Sequence, residues 1–291
     1  MARIGLTALT VLVAGLAFAA GASAVSPDVQ AMNLQATDVP GAKVIGERSL
    51  TQRGYLAAHL RSFAFSAPNT GPHLIELDSL TALASDSAKV ASDVASVEKP
   101  FHSKAGRKAL VATIAKDAKV KVKAVALGQP HRVAGYDQGF EIAISFPVKT
   151  KRAYENFVFV RLDRVFVQLI EVGTRPIGAA VTLKYATAIA AHIGTELSPI
   201  GLAAPTVAGN AQQGQTLTAS PGSWTATDAT FAYQWQHCDS AGANCVDVAG
   251  ATAQTYAVTP TDVGTTLHVV VTATNRFGSA TAPSPPSAVV T

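Results

Sequence analysis

Cysteine is almost absent: Cys238 and Cys245 are the only two in 291 residues. Everything before residue 238 therefore lacks a thiol nucleophile. Two cysteines are also too few for a four-thiolate metal site, and their spacing is wider than the C-x-x-C pairs of such sites. Charge is scarce, at 14% of residues, while 48% are hydrophobic, a balance that excludes broad disorder. Beyond the N-terminal stretch, no apolar run reaches membrane-spanning length without a charge. Nothing matches a nucleophile elbow, a phosphate loop or a His-Glu-x-x-His helix, so the sequence points to no enzyme chemistry and implies no cofactor and no metal. Basic residues are nearly missing from the C-terminal third. Residues 201–291 hold Arg276 alone against Asp228, Asp239, Asp247 and Asp262, whereas residues 25–200 hold 21 Lys and Arg against 15 Asp and Glu.

What is present begins with a leader. Arg3 precedes an apolar core from Ile4 to Ala20, and Ala22-Ser23-Ala24 supplies small residues for cleavage, so residues 1–24 read as a signal peptide. The alternative is an uncleaved anchor, since the core could just span a bilayer. No cysteine follows the cleavage site to carry a lipid. The expected product is secreted or held at the cell envelope or surface, with no transmembrane anchor after cleavage. In that oxidising setting an even pair of cysteines on neighbouring strands implies a Cys238–Cys245 disulfide. Closing so short a loop contributes about 2–3 kcal/mol, which suits a staple.

The shift in charge marks a domain boundary near Ser198 to Pro205. The expected organisation is two-domain: an α+β domain with antiparallel sheet and helices over 25–199, a linker at 200–204, and an all-β immunoglobulin-like sandwich over 205–291. In the first domain strands are predicted near Lys43 to Leu50, Leu56 to Ser66 and Leu74 to Leu77. Ala-rich helices follow at Ser85 to Val97 and Lys104 to Lys116. Alternation of Val120, Val122, Ala124 and Ala126 against Lys119, Lys121 and Lys123 predicts a further strand, and Phe140 to Phe146 alternates most clearly of all. Two more strands, Phe157 to Leu162 and Val165 to Val172, are joined across Asp163-Arg164 by a two-residue hairpin. After Arg175-Pro176 a closing helix is predicted, with Ile177, Val181, Tyr185, Ala188, His192 and Leu197 as its apolar stripe.

Candidate site residues are few. His73, Glu76 and Asp78 come closest to a metal cluster, but strand geometry puts His73 on the opposite face from the two carboxylates. His192 fits a hydrogen-bonded core-edge side chain better than a base. The best interaction surface is basic: Lys116, Lys119, Lys121 and Lys123, with Lys149, Lys151 and Arg152 downstream. It suits an anionic envelope polymer or acidic lipid headgroups; without interleaved aromatics it does not suit nucleic acid. The plainer alternative is a solvated lysine face that discourages edge pairing.

Two resemblances add to this. Leu34, Asp38, Pro40 and Gly41, with the order of elements over residues 30–198, resemble the exported sensor-like and lipoprotein-type α+β domains of actinobacteria. That resemblance implies a ligand- or partner-binding domain outside the cytoplasm, and carries over no catalytic residue. Gly222-Ser223-Trp224, Tyr233-Gln234-Trp235, Cys238-Asp239, Cys245, Thr255-Tyr256, Asp262-Val263-Gly264 and Val271 to Asn275 resemble the bacterial immunoglobulin-like repeats of exported actinobacterial proteins. This implies a seven-stranded sandwich with Trp235 in its core. Thr266 and His268 stand where a tyrosine corner and a core cysteine would fall, so the disulfide is expected to tie the hairpin after the Trp strand. Trp224 and Trp235 could otherwise form a sugar-stacking platform. The function expected is a non-enzymatic binding or sensor-like protein with an adhesion or spacer module, meeting an anionic polymer, a glycan or another surface protein. The alternatives are a carrier of an apolar small molecule or lipid, and a hydrolase whose residues are scattered beyond recognition.

Overall fold

A computed structural model describes residues 19–20, 28–51, 53–65, 74–117, 119–226 and 228–291. Apart from Ala19 and Ala20, the leader read from the sequence lies outside these residues, as does His73. The chain divides into two units, Met1–Glu196 and Leu197–Thr291.

The first unit is built on one antiparallel sheet of nine strands: β1 (Ala19–Ala20), β2 (Ala42–Thr51), β3 (Tyr55–Phe65), β4 (Leu74–Ala84), β5 (Ala126–Leu127), β6 (His131–Arg132), β7 (Gln138–Val148), β8 (Lys151–Leu162) and β9 (Val165–Gly173). The strands lie in the order β1-β2-β3-β4-β9-β8-β7-β5, with β6 also on β7. Four helices accompany it: α1 (Val29–Met32), α2 (Ser87–His102), α3 (Lys104–Asp117) and α4 (Ala179–Leu197). Asp86 caps α2 by accepting from the Lys89 N–H at 2.8 Å. Val90, Val94, Val97 and Phe101 of α2, with Leu110 and Ile114 of α3, pack on Leu80, Ala82, Phe140, Ile142, Phe157, Phe159 and Phe166. α4 meets the opposite face: the Thr182 hydroxyl donates to Glu171 of β9, and the Tyr136 hydroxyl donates to the Ala186 carbonyl at 2.6 Å.

Several elements differ from the sequence reading. β4 runs on to Ala84, because its second half is buried on both faces and shows no alternation to read. Residues 119–126 do not form the alternating strand. Lys119 adopts a left-handed turn at φ 55, the Val120 N–H returns to the Ala115 carbonyl at 2.9 Å, and a short 3-10 turn occupies Val122–Ala124. The chain spends those residues leaving α3, so only Ala126–Leu127 reach β7. On α4 the buried stripe is Thr182, Tyr185, Ala186, Ile189, Ile193 and Leu197, while Val181, Ala188 and His192 sit at its edge.

In the second unit the strands are β10 (Gly201–Ala203), β11 (Thr206–Ala208), β12 (Thr216–Ser220), β13 (Ser223–Trp224), β14 (Thr230–Cys238), β15 (Val246–Asp247), β16 (Thr255–Ala257), β17 (Thr266–Asn275) and β18 (Gly278–Pro283). The stretch 200–204, expected as a linker, contains β10, which pairs with β13. A three-stranded sheet (β11-β12-β16) and a four-stranded sheet (β15-β14-β17-β18), both antiparallel, share one core. Trp235 lies at its centre, fully buried with Leu217, Ala219, Leu267, Val269 and Val271. Its ring stacks on Tyr256 at 5.4 Å and its Nε1–H donates to the Ala253 carbonyl at 2.9 Å, which satisfies the one polar atom of the indole.

Candidate functional site

The basic residues come from two segments far apart in sequence. Lys116 closes α3, Lys119 lies in the following turn, and Lys121 and Lys123 flank Val122. Lys149 and Lys151 belong to the β7–β8 hairpin, where Val148 pairs with Lys151 and Lys149 takes φ 54. The antiparallel pairing of Ala126 and Leu127 with Ser145 and Ile144 brings the segments together. It directs the chain before Ala126 toward the end of β7 that carries the hairpin. Val120, Val125 and Val148 anchor both segments on the core beneath α2 and α3. All seven basic residues are exposed.

Arg152 donates from Nη2 to Ser145 Oγ at 2.9 Å and to the Ser145 carbonyl at 3.2 Å, which fixes its guanidinium across the strand pair. Among the described residues none of the six lysines makes an ion pair. Val122, between Lys121 and Lys123, is 53% exposed. Such a surface holds several exposed cations and no buried donor. It suits multipoint attraction to a polyanion and lacks the geometry of a clamp on a reacting group.

His59, His192 and His237 sit elsewhere, each within a local network. His59 is fully buried, its Nε2 3.1 Å from Glu47 Oε1. Burial holds it below the ordinary histidine range, reinforced by the Arg61 charge and opposed by Glu47. Arg61 in turn binds Glu47, the Leu34 carbonyl and Gln35 Oε1, and its hydrogen bond holds the Glu47 carboxyl below the usual range. His192 Nε2 lies 2.9 Å from Asp38 Oδ2. His237 contacts the fully buried Asp262, which also accepts from the Tyr256 and Thr259 hydroxyls and the Thr259 N–H. Glu76 is half-buried and Asp78 buried on β4.

The sequence does not reveal a carboxyl pair made of the half-buried Glu141 and the buried Glu171. Asn156 Nδ2 donates to Glu141 Oε1 at 2.6 Å, the Thr182 hydroxyl donates to Glu171 Oε2 at 2.8 Å, and Glu171 Oε1 is buried without a hydrogen bond. Burial pushes the Glu171 carboxyl up to about 8, opposed by Thr182 and reinforced by Glu141. The available signal is one acid, Glu171, in a strand whose only other polar side chain is Gln168.

Cys238 and Cys245 are bonded, and no free cysteine occurs. Cys238 pairs with Thr266 across β14 and β17, on the face turned away from Trp235.

The described residues thus form a β-rich protein of mostly antiparallel sheets with four α-helices, stapled by one disulfide; no helix among them is long and apolar enough to cross a membrane. No family model and no curated protein matches the chain. Among solved structures, the extracellular domain of PknH from Mycobacterium tuberculosis is similar over 60% of this chain and 99% of its own, with 8% identity and a TM-score of 0.38. A likeness at that level supports no argument about function.

Proposed function

We propose that the chain is an exported, non-enzymatic binding protein that meets an anionic polymer of the cell envelope through the basic end of its first unit. The observation that carries this reading is the convergence of two separate basic segments, six of whose seven cations make no ion pair among the described residues. The second unit is read as an immunoglobulin-like sandwich serving as adhesion module or spacer. Its three- and four-stranded sheets over a central Trp235 support that reading. The leader and the disulfide favour a place outside the cytoplasm.

The test is binding of the full chain to a soluble phosphate-backbone polymer, followed across salt concentration. The expected affinity falls steeply with salt, since exposed charges are screened over about a Debye length. Changing Lys121, Lys123, Lys149 and Lys151 together to Ala should weaken binding about tenfold or more, some 1.4 kcal/mol spread over four surface charges. Binding that ignores both salt and the substitutions overturns the reading.

A further inference from the structure

Set aside in the sequence as too few for a metal, the two cysteines have a third ligand beside them. The sulfur atoms of Cys238 and Cys245 and a ring nitrogen of His268 all lie within 4.8 Å of one another. Strand register creates this grouping. Gln236 pairs with His268 and Cys238 with Thr266, so Gln236, Cys238 and His268 share the outer face of the four-stranded sheet. Cys245 and His268 are half-buried, which leaves the group within reach of solvent.

We propose that reduction of the Cys238–Cys245 bond creates a thiolate–imidazole site for a thiophilic divalent cation of the zinc type, with His268 as third ligand, so that the disulfide gates metal binding. A small dithiol is the reductant. It passes two electrons and two protons to the cystine, giving two thiols and its own cyclic disulfide. The cation then displaces both thiol protons and is held by two thiolates and a neutral imidazole, with water or an external ligand in the fourth position.

Two features prepare the site without help from the disulfide. Asp239 organises the intervening loop: its Oδ1 accepts from the Ala241 and Ala243 N–H groups, and its Oδ2 accepts from Asn244 Nδ2. The Thr266 hydroxyl ties the Asp239 carbonyl to β17 at 2.9 Å. The second feature orients the imidazole. His268 Nε2 bonds to Gln236 Oε1, and Gln236 Nε2 donates to Asp247 Oδ1 at 2.6 Å. With Gln236 Nε2 donating to Asp247, Gln236 Oε1 faces the imidazole, so a neutral His268 carries its proton on Nε2 and Nδ1 is the ligand atom proposed, the second-sphere arrangement that metal-binding histidines use.

The experiment is a cobalt(II) titration of the full chain after reduction by a phosphine, which is then removed under anaerobic conditions. The reduced protein should show thiolate-to-cobalt charge transfer and visible bands of tetrahedral intensity at one equivalent, and zinc should displace the cobalt. The oxidised protein should show neither. His268→Gln, which keeps bulk and polarity, should weaken cobalt binding at least as much as Gln236→Ala, for which roughly a 10- to 100-fold loss is expected. Absence of charge transfer in the reduced protein, or unchanged affinity in His268→Gln, overturns the proposal. So does loss of the β signal in circular dichroism on reduction, because the site requires the fold to outlast the bond.

Discussion

The nine-stranded sheet has two faces that solve burial in opposite ways. Under α2 and α3 the face is mainly apolar, with Phe140, Phe159 and Phe166 joined to Phe101 of α2 in a chain of ring contacts 5.3–6.5 Å apart, and its buried polar side chains, Asp78 and Gln168, lie on the central strands β4 and β9. The face toward α1 and α4 mixes Leu77, Leu83, Val167 and Leu169 with buried polar groups: Asn33, His59 and Ser79 in one cluster, Asn156, Glu171 and Thr182 in another. Apolar packing is non-directional and tolerates small shifts of a helix over the sheet. Hydrogen bonds to named carbonyls do not. The difference suggests that the aromatic face supplies most of the stability and the polar face fixes where α1 and α4 dock.

The largest effect should come from the aromatic face. Phe159 is fully buried between Phe140 and Phe166, so Phe159→Ala should cost about 3–5 kcal/mol, read from the denaturant midpoint of the first unit's transition. A cost under about 1 kcal/mol would mean that this face does not dominate.

A smaller, pH-dependent effect belongs to Glu171. Its folded-state pKa is about 8 against an ordinary 4.5, so between those values the folded state holds a proton that the unfolded chain has released. Stability contributed by this group is therefore full below about pH 4.5, declines as pH rises, and levels off above about pH 8. The size is on the order of 2–4 kcal/mol for a fully buried carboxyl. Glu141 and Glu155 are also raised by burial and act in the same direction, while His59, lowered, acts in the opposite one. The difference between the wild-type and Glu171→Gln profiles isolates Glu171. Parallel profiles would show that its burial carries no linkage.

Sequence patterning was informative where one face of an element is wet. Phe140, Ile142, Ile144 and Phe146 alternate because β7 lies near the edge of the sheet, and Asp163 at φ 54 makes the two-residue turn that its place between two apolar runs implied. Patterning failed where both faces are buried, as in the second half of β4. It misled at 119–126, where lysine alternation imitates a strand but the chain is unwinding from a helix. The lysines themselves were visible, yet their meeting with Lys149 and Lys151 depends on a two-residue pairing with no local signature. His268 stands beside the cysteines only because of the β14–β17 register, which no spacing in the chain reveals. The predicted stripe of α4 differs from the buried one at Val181 and Ala188, which sit at its edge, whereas His192 is the hydrogen-bonded core-edge side chain that its place in the stripe implies.

The smallest effect tests whether the polar face acts as a register device. Asn33 follows α1 and is fully buried, and its side chain makes five hydrogen bonds, one of them between Nδ2 and His59 Nδ1 at 3.3 Å. Its Nδ2 donates to the His59 and Ser79 carbonyls, both at 2.9 Å; its Oδ1 accepts from the Leu34 N–H at 2.8 Å and from the Ser79 hydroxyl. The two carbonyls belong to neighbouring strands, so one side chain pins the segment after α1 across β3 and β4 at once. Asn33→Ala leaves those partners buried, and should cost about 1–3 kcal/mol. Ser79→Ala removes one of them, so the double substitution should cost less than the sum of the singles, with a coupling of about 1 kcal/mol. Stability alone would not separate a register device from ordinary hydrogen bonding. Amide hydrogen exchange does. If Asn33 fixes the docking of α1, protection should fall in residues 29–39 and stay near wild type in α2 and α3. A uniform loss across the unit would make Asn33 one more contributor to global stability, and the contrast between the two faces would reduce to composition.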